Sequence, residues 1–335
     1  MINTHVTVIG GGSWGTTLAN LLGEKGIKVN LWVYEPELCQ IIRERRENTF
    51  FLQGVKLSDN ISPYISMKEA SQGRRIFIVA CPSHVLRTII HELKFYLPDN
   101  AIIVSVTKGI ENDTLKLPSQ IFEEILPEHI THKAVYLSGP TFAKEVVRGF
   151  PTAATIATRD MEIAEYIQNL FTTPYFRIYT HTDILGVELG GALKNVIAIA
   201  AGASDGLEFG NSARSALITR GLSEMVKLGV AMGADPVTFT GLSGIGDLVL
   251  TCTGELSRNR AVGVKLGQGM KLNDILKDMM MVAEGIKTSR SAYELGKRYN
   301  VELPIINEVY AILYEGKSPK DAVNNLMGRA LKREF

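Results

Sequence analysis

Cysteine is scarce in this sequence, which has only Cys39, Cys81 and Cys252 in 335 residues. They are widely spaced, odd in number and form no C-x-x-C pair, so the pattern excludes a disulfide framework and suits a reducing compartment. The first residues also lack the cationic-then-apolar pattern of a secretion signal. These absences predict a cytoplasmic protein.

Long uncharged apolar runs are missing too, since none reaches the roughly 18 to 20 residues that cross a bilayer. The formal net charge is only +1, without the basic excess that nucleic acids or acidic membranes attract. The hydrophobic share of 45% is ordinary for a globular chain. We therefore expect a protein that is not embedded in a membrane and does not bind nucleic acid.

The sequence changes character near residue 182. Before it, β-branched runs alternate with amphipathic segments, which predicts a doubly wound, mostly parallel α/β domain over 1–182. After it, strand patterns almost vanish, which predicts an all-helical domain over 183–335, with Asp183 and Ser318 as N-caps. The predicted strands are His5–Ile9, Lys28–Tyr34, Ile76–Ala80, Ala101–Val106, Val135–Leu137, Thr152–Ala157 and Phe176–Thr180.

Glycine is in modest surplus, and one group of glycines lies between the first strand and a helix. Gly10, Gly12 and Gly15 form a G-x-G-x-x-G, in which the first permits a tight turn and the second lets the backbone approach a pyrophosphate. The third lets the helix pack on the strand. An ordinary glycine-rich turn is the alternative, but the strand before and the helix after favour a dinucleotide site.

The choice between NAD and NADP stays open at this point. Glu35 follows the second strand, where an acid bonds the ribose hydroxyls of NAD. Arg43, Arg45 and Arg46 come soon after, and they suit either a 2′-phosphate or a solvated helix face.

Polar residues follow three of the predicted strands, at Cys81–His84, Thr107–Gly109 and Ser138–Thr141. Ligands bind outside the carboxyl ends of strands in such sheets, so these loops are expected to line a site. Lys108 is placed to reach into it, although a surface turn is the alternative for this lysine.

Lys194 is the one charge on an apolar helix face that also carries Gly190 and Gly191. A buried lysine needs a partner or a task, whereas a long side chain can also reach out to solvent. Burial lowers the pKa of a lysine, which suits proton transfer near neutral pH. Asn195 points about 100° away and is a candidate to bond a substrate hydroxyl.

A second concentrated segment, GLSGIGDLVLTCTGELSRNR, lies in the helical half. Asp247 is predicted to lie in a glycine-flanked loop and to pair with Lys194. Ser257 reads as an N-cap, so that Arg258 and Asn259 begin a helix whose free amides suit an anion other than that of the cofactor.

The histidines offer no metal site. His129 and His132 lie in a polar stretch without a carboxylate or cysteine cluster, and no Ser–His–Asp arrangement follows from the spacing. Lys194 is therefore the leading acid/base candidate, and no metal is expected.

The motifs GGGSWGTTLA, CPSHVLR, TKGIE, LSGPTFAKEV, GALKNVIAIAAG, GLSGIGDL and SRNR together resemble those of the bacterial NAD(P)-dependent glycerol-3-phosphate dehydrogenases, in the same order along nearly the whole chain. The resemblance implies a Rossmann-like N-terminal domain and a helical C-terminal one. It also implies interconversion of dihydroxyacetone phosphate and sn-glycerol 3-phosphate with NAD or NADP for phospholipid synthesis, by a cytoplasmic homodimer.

The resemblance also assigns residues. It implies Lys194 as general acid/base and Lys108 as a second active-site lysine near both cofactor and substrate. We expect Asp247 to hold Lys194 in place and Lys108 to stabilise the developing alkoxide. The implied substrate positions are Lys108, Gly139, Thr141, Lys194, Asn195, Asp247, Thr251, Ser257, Arg258 and Asn259. The implied cofactor positions are Gly10, Gly12, Ser13, Trp14, Gly15, Tyr34, Lys108, Ala143, Arg258, Val282 and Glu284. Bacterial members of the family often have a basic residue at position 34 and serine at position 141.

Two rival functions remain at this stage. A dehydrogenase of the 6-phosphogluconate or 3-hydroxyacid type shares the two-domain plan and a helix lysine, but it takes a carboxylate substrate. A non-catalytic dinucleotide sensor needs only the glycine loop, so the presence of Lys108, Lys194 and Asp247 together speaks against it.

Overall fold

The structure, a computed structural model, describes residues 5–277, 279, 281–331 and 333–334. They form two compact units. The first comprises the described residues up to Lys108 and Lys116–Glu188, and the second comprises Gly109–Leu115 and the described residues from Leu189 onward. The last passage between the units falls inside the helix Ile184–Gly206, close to the domain boundary predicted at residue 182. That domain boundary itself stays a prediction.

The first unit contains an eight-stranded sheet in the order β3-β2-β1-β4-β5-β6-β7-β8. Neighbouring strands are parallel except β6 and β7, so the predicted mostly parallel sheet is confirmed. The strands are β1 (His5–Ile9), β2 (Lys28–Trp32), β3 (Ile61–Tyr64), β4 (Ile76–Val79), β5 (Ile102–Ser105), β6 (Val135–Ser138), β7 (Thr152–Ala157) and β8 (Phe176–His181).

One strand, β3, was not predicted from the sequence. It is only four residues long, contains Pro63 and lies at the edge of the sheet, paired with β2 alone. Proline cannot donate a hydrogen bond to a strand ladder, so it is tolerated at an edge but weakens the strand signal in the sequence. β3 therefore depends on its pairing with β2 rather than on its own pattern.

Helices cover both faces of this sheet, as the doubly wound prediction requires. In β4, Ile76 and Ile78 belong to one hydrophobic core, while Phe77 and Val79 belong to the other. Successive side chains of a strand point to opposite faces, so one apolar run supplies both cores. The helices of this half are α1 (Ser13–Glu24), α2 (Pro36–Arg45), α3 (Met67–Ser71), α4 (Leu86–Leu93), α5 (Pro118–Ile125), α6 (Glu128–Thr131), α7 (Ala143–Val146) and α8 (Met161–Phe171).

From residue 183 onward the described residues are helical, as predicted. Asp183 and Ser318 act as the predicted caps, since their side chains accept hydrogen bonds from the amides of Gly186 and Asp321. The helices are α9 (Ile184–Gly206), α10 (Gly210–Met232), α11 (Asp247–Thr253), α12 (Arg258–Gly267), α13 (Leu272–Lys277), α14 (Glu284–Arg298), α15 (Pro304–Tyr314) and α16 (Pro319–Met327). The sequence patterns missed α13, whose six residues are too few to show a clear period.

Two of these helices, α9 and α12, touch backbone to backbone. Gly202 and Gly206 on α9 face Gly263 and Gly267 on α12. An added Cβ at Gly202 or at Gly263 would lie 2.1 Å from a carbonyl oxygen of the other helix. The contact therefore requires glycine, and it fixes the position of α12 along the helix that carries Lys194.

Among the described residues, one helix is long and apolar enough to cross a membrane, namely α9. However, 83% of its most apolar 18-residue window is buried inside the protein. Such burial is typical of the core helix of a folded domain.

A buried carboxylate, Glu188, caps a helix within the first unit. It accepts hydrogen bonds from the amide of Ser119 at 2.9 Å and from the Ser119 hydroxyl, at the start of α5. Burial raises the pKa of Glu188 to about 8, although these two hydrogen bonds act to lower it. The folded chain therefore retains a proton on this carboxyl over a pH range in which an unfolded chain has lost it.

Replacement of Glu188 by glutamine is expected to change how stability depends on pH. Between the ordinary pKa of 4.5 and about 8, the folded wild type binds more protons than the unfolded chain, so its stability falls as pH rises. Glu188→Gln lacks this titration. The difference in thermal midpoint, variant minus wild type, should therefore increase from pH 5 to pH 8. A difference that stays constant across that range, as expected for the exposed control Glu92→Gln, would contradict the assignment.

Candidate active site

The glycine loop between β1 and α1 has the geometry of a phosphate cradle. Gly10 has φ of +121°, and a Cβ there would lie 2.7 Å from the carbonyl oxygen of Ala80. A Cβ at Gly15 would lie 2.1 Å from the carbonyl oxygen of Gly10. Gly12, by contrast, has nothing within 4 Å of its Cβ position. The first and third glycines are thus required by packing, and the second leaves open space at the N-terminus of α1, which fits a pyrophosphate.

Other predicted cofactor residues lie beside this loop. Ser13 and Trp14 begin α1, and both are half-buried. From the same helix, the Thr17 hydroxyl donates to the carbonyl of Ala143 at 3.3 Å. The structure therefore places Ala143 beside α1, the helix that begins with Ser13 and Trp14.

The loops after β4, β5 and β6 are hydrogen-bonded to one another. The Thr107 hydroxyl, after β5, donates to the carbonyl of Cys81, after β4, at 2.9 Å. Lys108 Nζ donates to the carbonyl of Gly139 at 3.0 Å, and the Thr141 hydroxyl contacts the same carbonyl at 3.3 Å. Gly139 has φ of +148°, and a Cβ there would lie 2.8 Å from the Cα of Ala154. Lys108, Gly139 and Thr141 thus form one group at the carboxyl end of the sheet, as predicted from the sequence.

In the second unit, Lys194 is buried and paired. Its side chain is 8% exposed, and Nζ donates to the Asp247 carboxylate and to the Thr251 hydroxyl, the latter at 2.7 Å. The Thr251 hydroxyl in turn donates to the backbone carbonyl of Asp247 at 2.6 Å. The predicted pairing of Lys194 with Asp247 is confirmed, and the alternative of a lysine extending into solvent is excluded.

The prediction that Asp247 lies in a loop is wrong, because it is the first residue of α11. The glycines before it serve close packing: a Cβ at Gly244 would lie 2.1 Å from the carbonyl oxygen of Phe239. A Cβ at Gly190 would likewise lie 2.4 Å from the carbonyl oxygen of Ser243, so α9 packs directly on this turn. A carboxylate in the first turn of a helix is favoured by the helix dipole. The same packing brings Asp247 to Lys194.

Cys252 lies next to this cluster along α11 and is fully buried. Burial raises the pKa of its thiol to about 12, although the charge of Lys194 acts to lower it. A thiol that stays protonated is a poor nucleophile. The cluster is therefore an ammonium–carboxylate–hydroxyl group without a reactive thiolate.

Two asparagines link the Lys194 helix to the start of α12. Asn259 Nδ2 donates to Asn195 Oδ1 at 2.8 Å, and Asn259 Oδ1 accepts from the amide of Gly285 at 2.9 Å. Asn195 Nδ2 also donates to the carbonyl of Gly191 at 3.3 Å. Each side-chain amide has two N–H groups, so each has a second N–H beyond the one used here. The sequence indicated both residues, but not the bond between them.

The start of α12 has the predicted cap. The Ser257 hydroxyl accepts from the amide of Arg260 at 3.2 Å. Part of the Arg258 side chain reaches solvent, yet desolvation lowers the pKa of its guanidinium while the charge of Glu284 raises it. Glu284 is the first residue of α14, and Val282, before that helix, is exposed.

Arg260, two residues after Arg258, has a role that was not predicted from the sequence. Its guanidinium binds the Asp205 carboxylate at 2.7 and 2.8 Å, and Arg214 binds the same carboxylate at 3.1 Å. This ion cluster joins α12 to the end of α9. Arg260 thus holds the start of α12 against the end of α9. No local pattern in the sequence indicates this role.

Metal ligands do not cluster in the part of the chain that the structure describes. No group of three or more His, Cys, Asp or Glu side chains there is arranged to hold a metal ion. His129 lies in the short helix α6, and His132 follows it.

Comparisons with known proteins identify the family of the chain. The models of the NAD-dependent glycerol-3-phosphate dehydrogenase N-terminus and C-terminus match residues 5–164 and 183–324. A relative from Citrifermentans bemidjiense, named glycerol-3-phosphate dehydrogenase (NAD(P)+), is 54% identical over 98% of both chains. One of the same name from Syntrophotalea carbinolica is 53% identical over 99% of both.

The fold comparison gives the same family. A crystal structure of glycerol-3-phosphate dehydrogenase from Coxiella burnetii superposes with a TM-score of 0.93 and 34% identity, covering 97% of this chain and 99% of that one. The resemblance found in the sequence motifs is thus confirmed over nearly the full length. The chain belongs to the NAD-dependent glycerol-3-phosphate dehydrogenases.

Proposed function

We propose that Lys194 is the general acid and base with which this chain interconverts dihydroxyacetone phosphate and sn-glycerol 3-phosphate. The observation that carries the proposal is the buried cluster of Lys194, Asp247 and Thr251. Burial of an ion pair costs free energy that apolar packing would not cost, so a pair retained in an apolar helix core suggests a task. The task proposed is proton transfer at the substrate oxygen.

When bound, NADH or NADPH supplies the hydride for the ketone carbon. In the reducing direction, Lys194 donates its proton to the oxygen on which negative charge develops. Asp247 and Thr251 hold the ammonium in place, so less reorganisation is needed at the moment of transfer. In the oxidising direction, the neutral amine of Lys194 accepts the proton of the substrate hydroxyl.

The phosphate of the substrate is proposed to bind at the start of α12. Free backbone amides at a helix N-terminus attract anions, and Arg258 adds a charged, planar donor. Asn195 and Asn259 hold each other through the hydrogen bond at 2.8 Å, and their second N–H groups are available to substrate oxygens. Anchoring the phosphate in this way orients the reacting carbon with binding energy from a distant group.

In the first unit, the cradle at Gly10, Gly12 and Gly15 is proposed to hold the dinucleotide pyrophosphate, with Ser13, Trp14, Tyr34 and Ala143 alongside. For Lys108, the family resemblance supports stabilisation of the negative oxygen by its positive charge. Val282 and Glu284 are further cofactor positions on the same ground. The supply of phospholipid precursors, a cytoplasmic location and a homodimer are proposed from the family alone.

A substrate panel tests this proposal. Purified protein should oxidise NADH or NADPH when dihydroxyacetone phosphate is added, followed at the nicotinamide absorbance, but not with carboxylate-bearing 2- or 3-oxo acids. Turnover of 6-phosphogluconate or a 3-hydroxyacid instead would favour the rival dehydrogenase. Dinucleotide binding without turnover of any of these substrates would favour the sensor.

Arg258→Ala should raise KM for dihydroxyacetone phosphate far more than it changes the affinity for its dephosphorylated analogue, dihydroxyacetone.

A further inference from the structure

A fully buried asparagine, Asn48, lies shortly after α2 and has no role in the function proposed above. Its Nδ2 donates to the carbonyl of Gly11 at 2.8 Å and to the Thr16 hydroxyl at 2.8 Å. The Thr16 hydroxyl donates to the same carbonyl at 3.2 Å. Both N–H groups of the side-chain amide are thus used. Asn48 therefore connects a distant segment of the sequence to the glycine loop and to the first turn of α1.

The Asn48 side chain is itself held by a turn. Its Oδ1 accepts from the amide of Phe51 at 2.9 Å, and its backbone carbonyl accepts from the amide of Leu52 at 3.0 Å. Leu52 is fully buried, which anchors the turn in the core. Because both ends of the side-chain amide are bonded, it cannot rotate without losing buried hydrogen bonds. Asn48 is therefore a rigid support for the Gly11 carbonyl.

The Gly11 carbonyl and the Gly12 N–H belong to one peptide group. In a trans peptide these two bonds point in opposite directions. The carbonyl faces the buried side chains of Asn48 and Thr16, so the Gly12 N–H points away from them. Glycine adopts both signs of φ, so a peptide between two glycines has little steric preference of its own. The direction of this peptide therefore depends on the contact that Asn48 supplies.

We propose that Asn48 is a positioning residue for the dinucleotide. It keeps the Gly11 carbonyl directed inward, so that the Gly12 N–H, rather than a carbonyl oxygen, meets the pyrophosphate. A carbonyl oxygen there would repel the anion, whereas an N–H donates a charge-assisted hydrogen bond to it. Asn48 acts through this peptide and not by contact with the cofactor. The inference rests on the proposed dinucleotide cradle but not on the identity of the substrate.

The same helix offers a matched control near its other end. Asn60 Nδ2 donates to the carbonyl of Gly23 at 2.8 Å, so an asparagine amide again bonds a glycine carbonyl of α1. Gly23 lies about 16 Å along the helix from Gly12, because an α-helix rises about 1.5 Å per residue. Loss of either asparagine removes a side-chain bond to α1, but only Asn48 acts on the cradle.

Asn48→Ser and Asn60→Ser test the proposal by titration of the intact protein with NADH, without substrate. Serine is too short to reach Gly11, but its hydroxyl can accept from the Phe51 amide as an N-cap serine does, which preserves the turn. We expect Asn48→Ser to bind NADH about 10- to 100-fold more weakly, as for a lost hydrogen bond to a charged group. Adenosine, which lacks the pyrophosphate, should bind as it does to wild type. Asn60→Ser should leave both affinities unchanged.

Asn48→Asp keeps the shape of the side chain and adds a pH profile to the test. At about pH 5, below the raised pKa of a buried acid, its protonated carboxyl can donate one hydrogen bond to the Gly11 carbonyl. This variant should then bind NADH more tightly than Asn48→Ser does at the same pH. The advantage should disappear by about pH 8, where a carboxylate has no proton to donate. A residue needed only for stability would give no such profile.

Wild-type NADH affinity in folded Asn48→Ser would overturn the proposal. An equal loss for adenosine, or an equal loss in Asn60→Ser, would also overturn it, because the effect would then not concern the pyrophosphate. If Asn48→Ser does not fold, Asn48→Asp decides: an NADH affinity that keeps a constant ratio to that of wild type across this pH range contradicts the proposal. A wild type that binds NADH but does not reduce dihydroxyacetone phosphate would contradict the proposed function and leave this inference standing.

Discussion

Lys194→Ala is expected to lower kcat for dihydroxyacetone phosphate reduction by about 10²- to 10⁴-fold, the usual contribution of a positioned general acid. The Lys194 ammonium is held by Asp247 and Thr251 inside an apolar helix core. Water has little access to this buried group, so it cannot readily replace Lys194 as the proton donor. NADH affinity should be unchanged, because Lys194 is not one of the proposed cofactor positions.

Loss of stability must be separated from loss of chemistry in this test. Removal of Lys194 alone takes the positive charge away from the buried Asp247 carboxylate, and loss of one partner of a buried ion pair costs about 3–5 kcal/mol. The control is Lys194→Ala/Asp247→Asn, which removes both charges and should regain much of the thermal stability without regaining turnover. Added methylamine or ethylamine should partly restore turnover in Lys194→Ala. Near-normal kcat in a folded variant would rule out Lys194 as the proton donor.

Gly15→Ala and Gly12→Ala are expected to abolish dinucleotide binding in two different ways. At Gly15 the new methyl would lie 2.1 Å from the carbonyl oxygen of Gly10, so the turn must shift. Overpacking of this kind costs about 1–3 kcal/mol, and more where backbone has to move. At Gly12 the methyl meets nothing within 4 Å, and φ of −68° suits alanine, so the free protein should keep its stability.

The Gly12 methyl would instead enter the space proposed for the pyrophosphate. Thermal midpoints with and without NADH distinguish the cases, because a ligand stabilises only a protein that binds it. We expect Gly15→Ala to melt lower than wild type, Gly12→Ala to melt like wild type, and neither to gain from NADH. A Gly12→Ala variant that binds NADH as tightly as wild type would show that the pyrophosphate does not approach this position.

Features with a local signal in the sequence could be predicted. The glycine cradle has a fixed spacing after a strand, and Lys194 is a lone charge on an apolar face, so both were found without the fold. The cap at Ser257 also depends only on its neighbours, because its hydroxyl bonds an amide three residues later.

Features created by contacts between distant segments could not be predicted. Asp247 looked like a loop residue because glycines precede it, yet those glycines allow close packing on Phe239 and α9. The bond between Asn195 and Asn259 and the ion pair of Arg260 with Asp205 each join residues more than 50 positions apart. No periodicity or short motif records such a pairing.

The glycine contact between α9 and α12 also limits which residues an active enzyme can have at these positions. Gly202, Gly206, Gly263 and Gly267 touch one another's helices through backbone atoms alone. Even the smallest side chain would push α12 away and carry Arg258 and Asn259 with it. In a saturation-mutagenesis experiment selected for turnover, these four positions should therefore be as intolerant as Lys194 itself, although none of them has a side chain with which to bind a ligand.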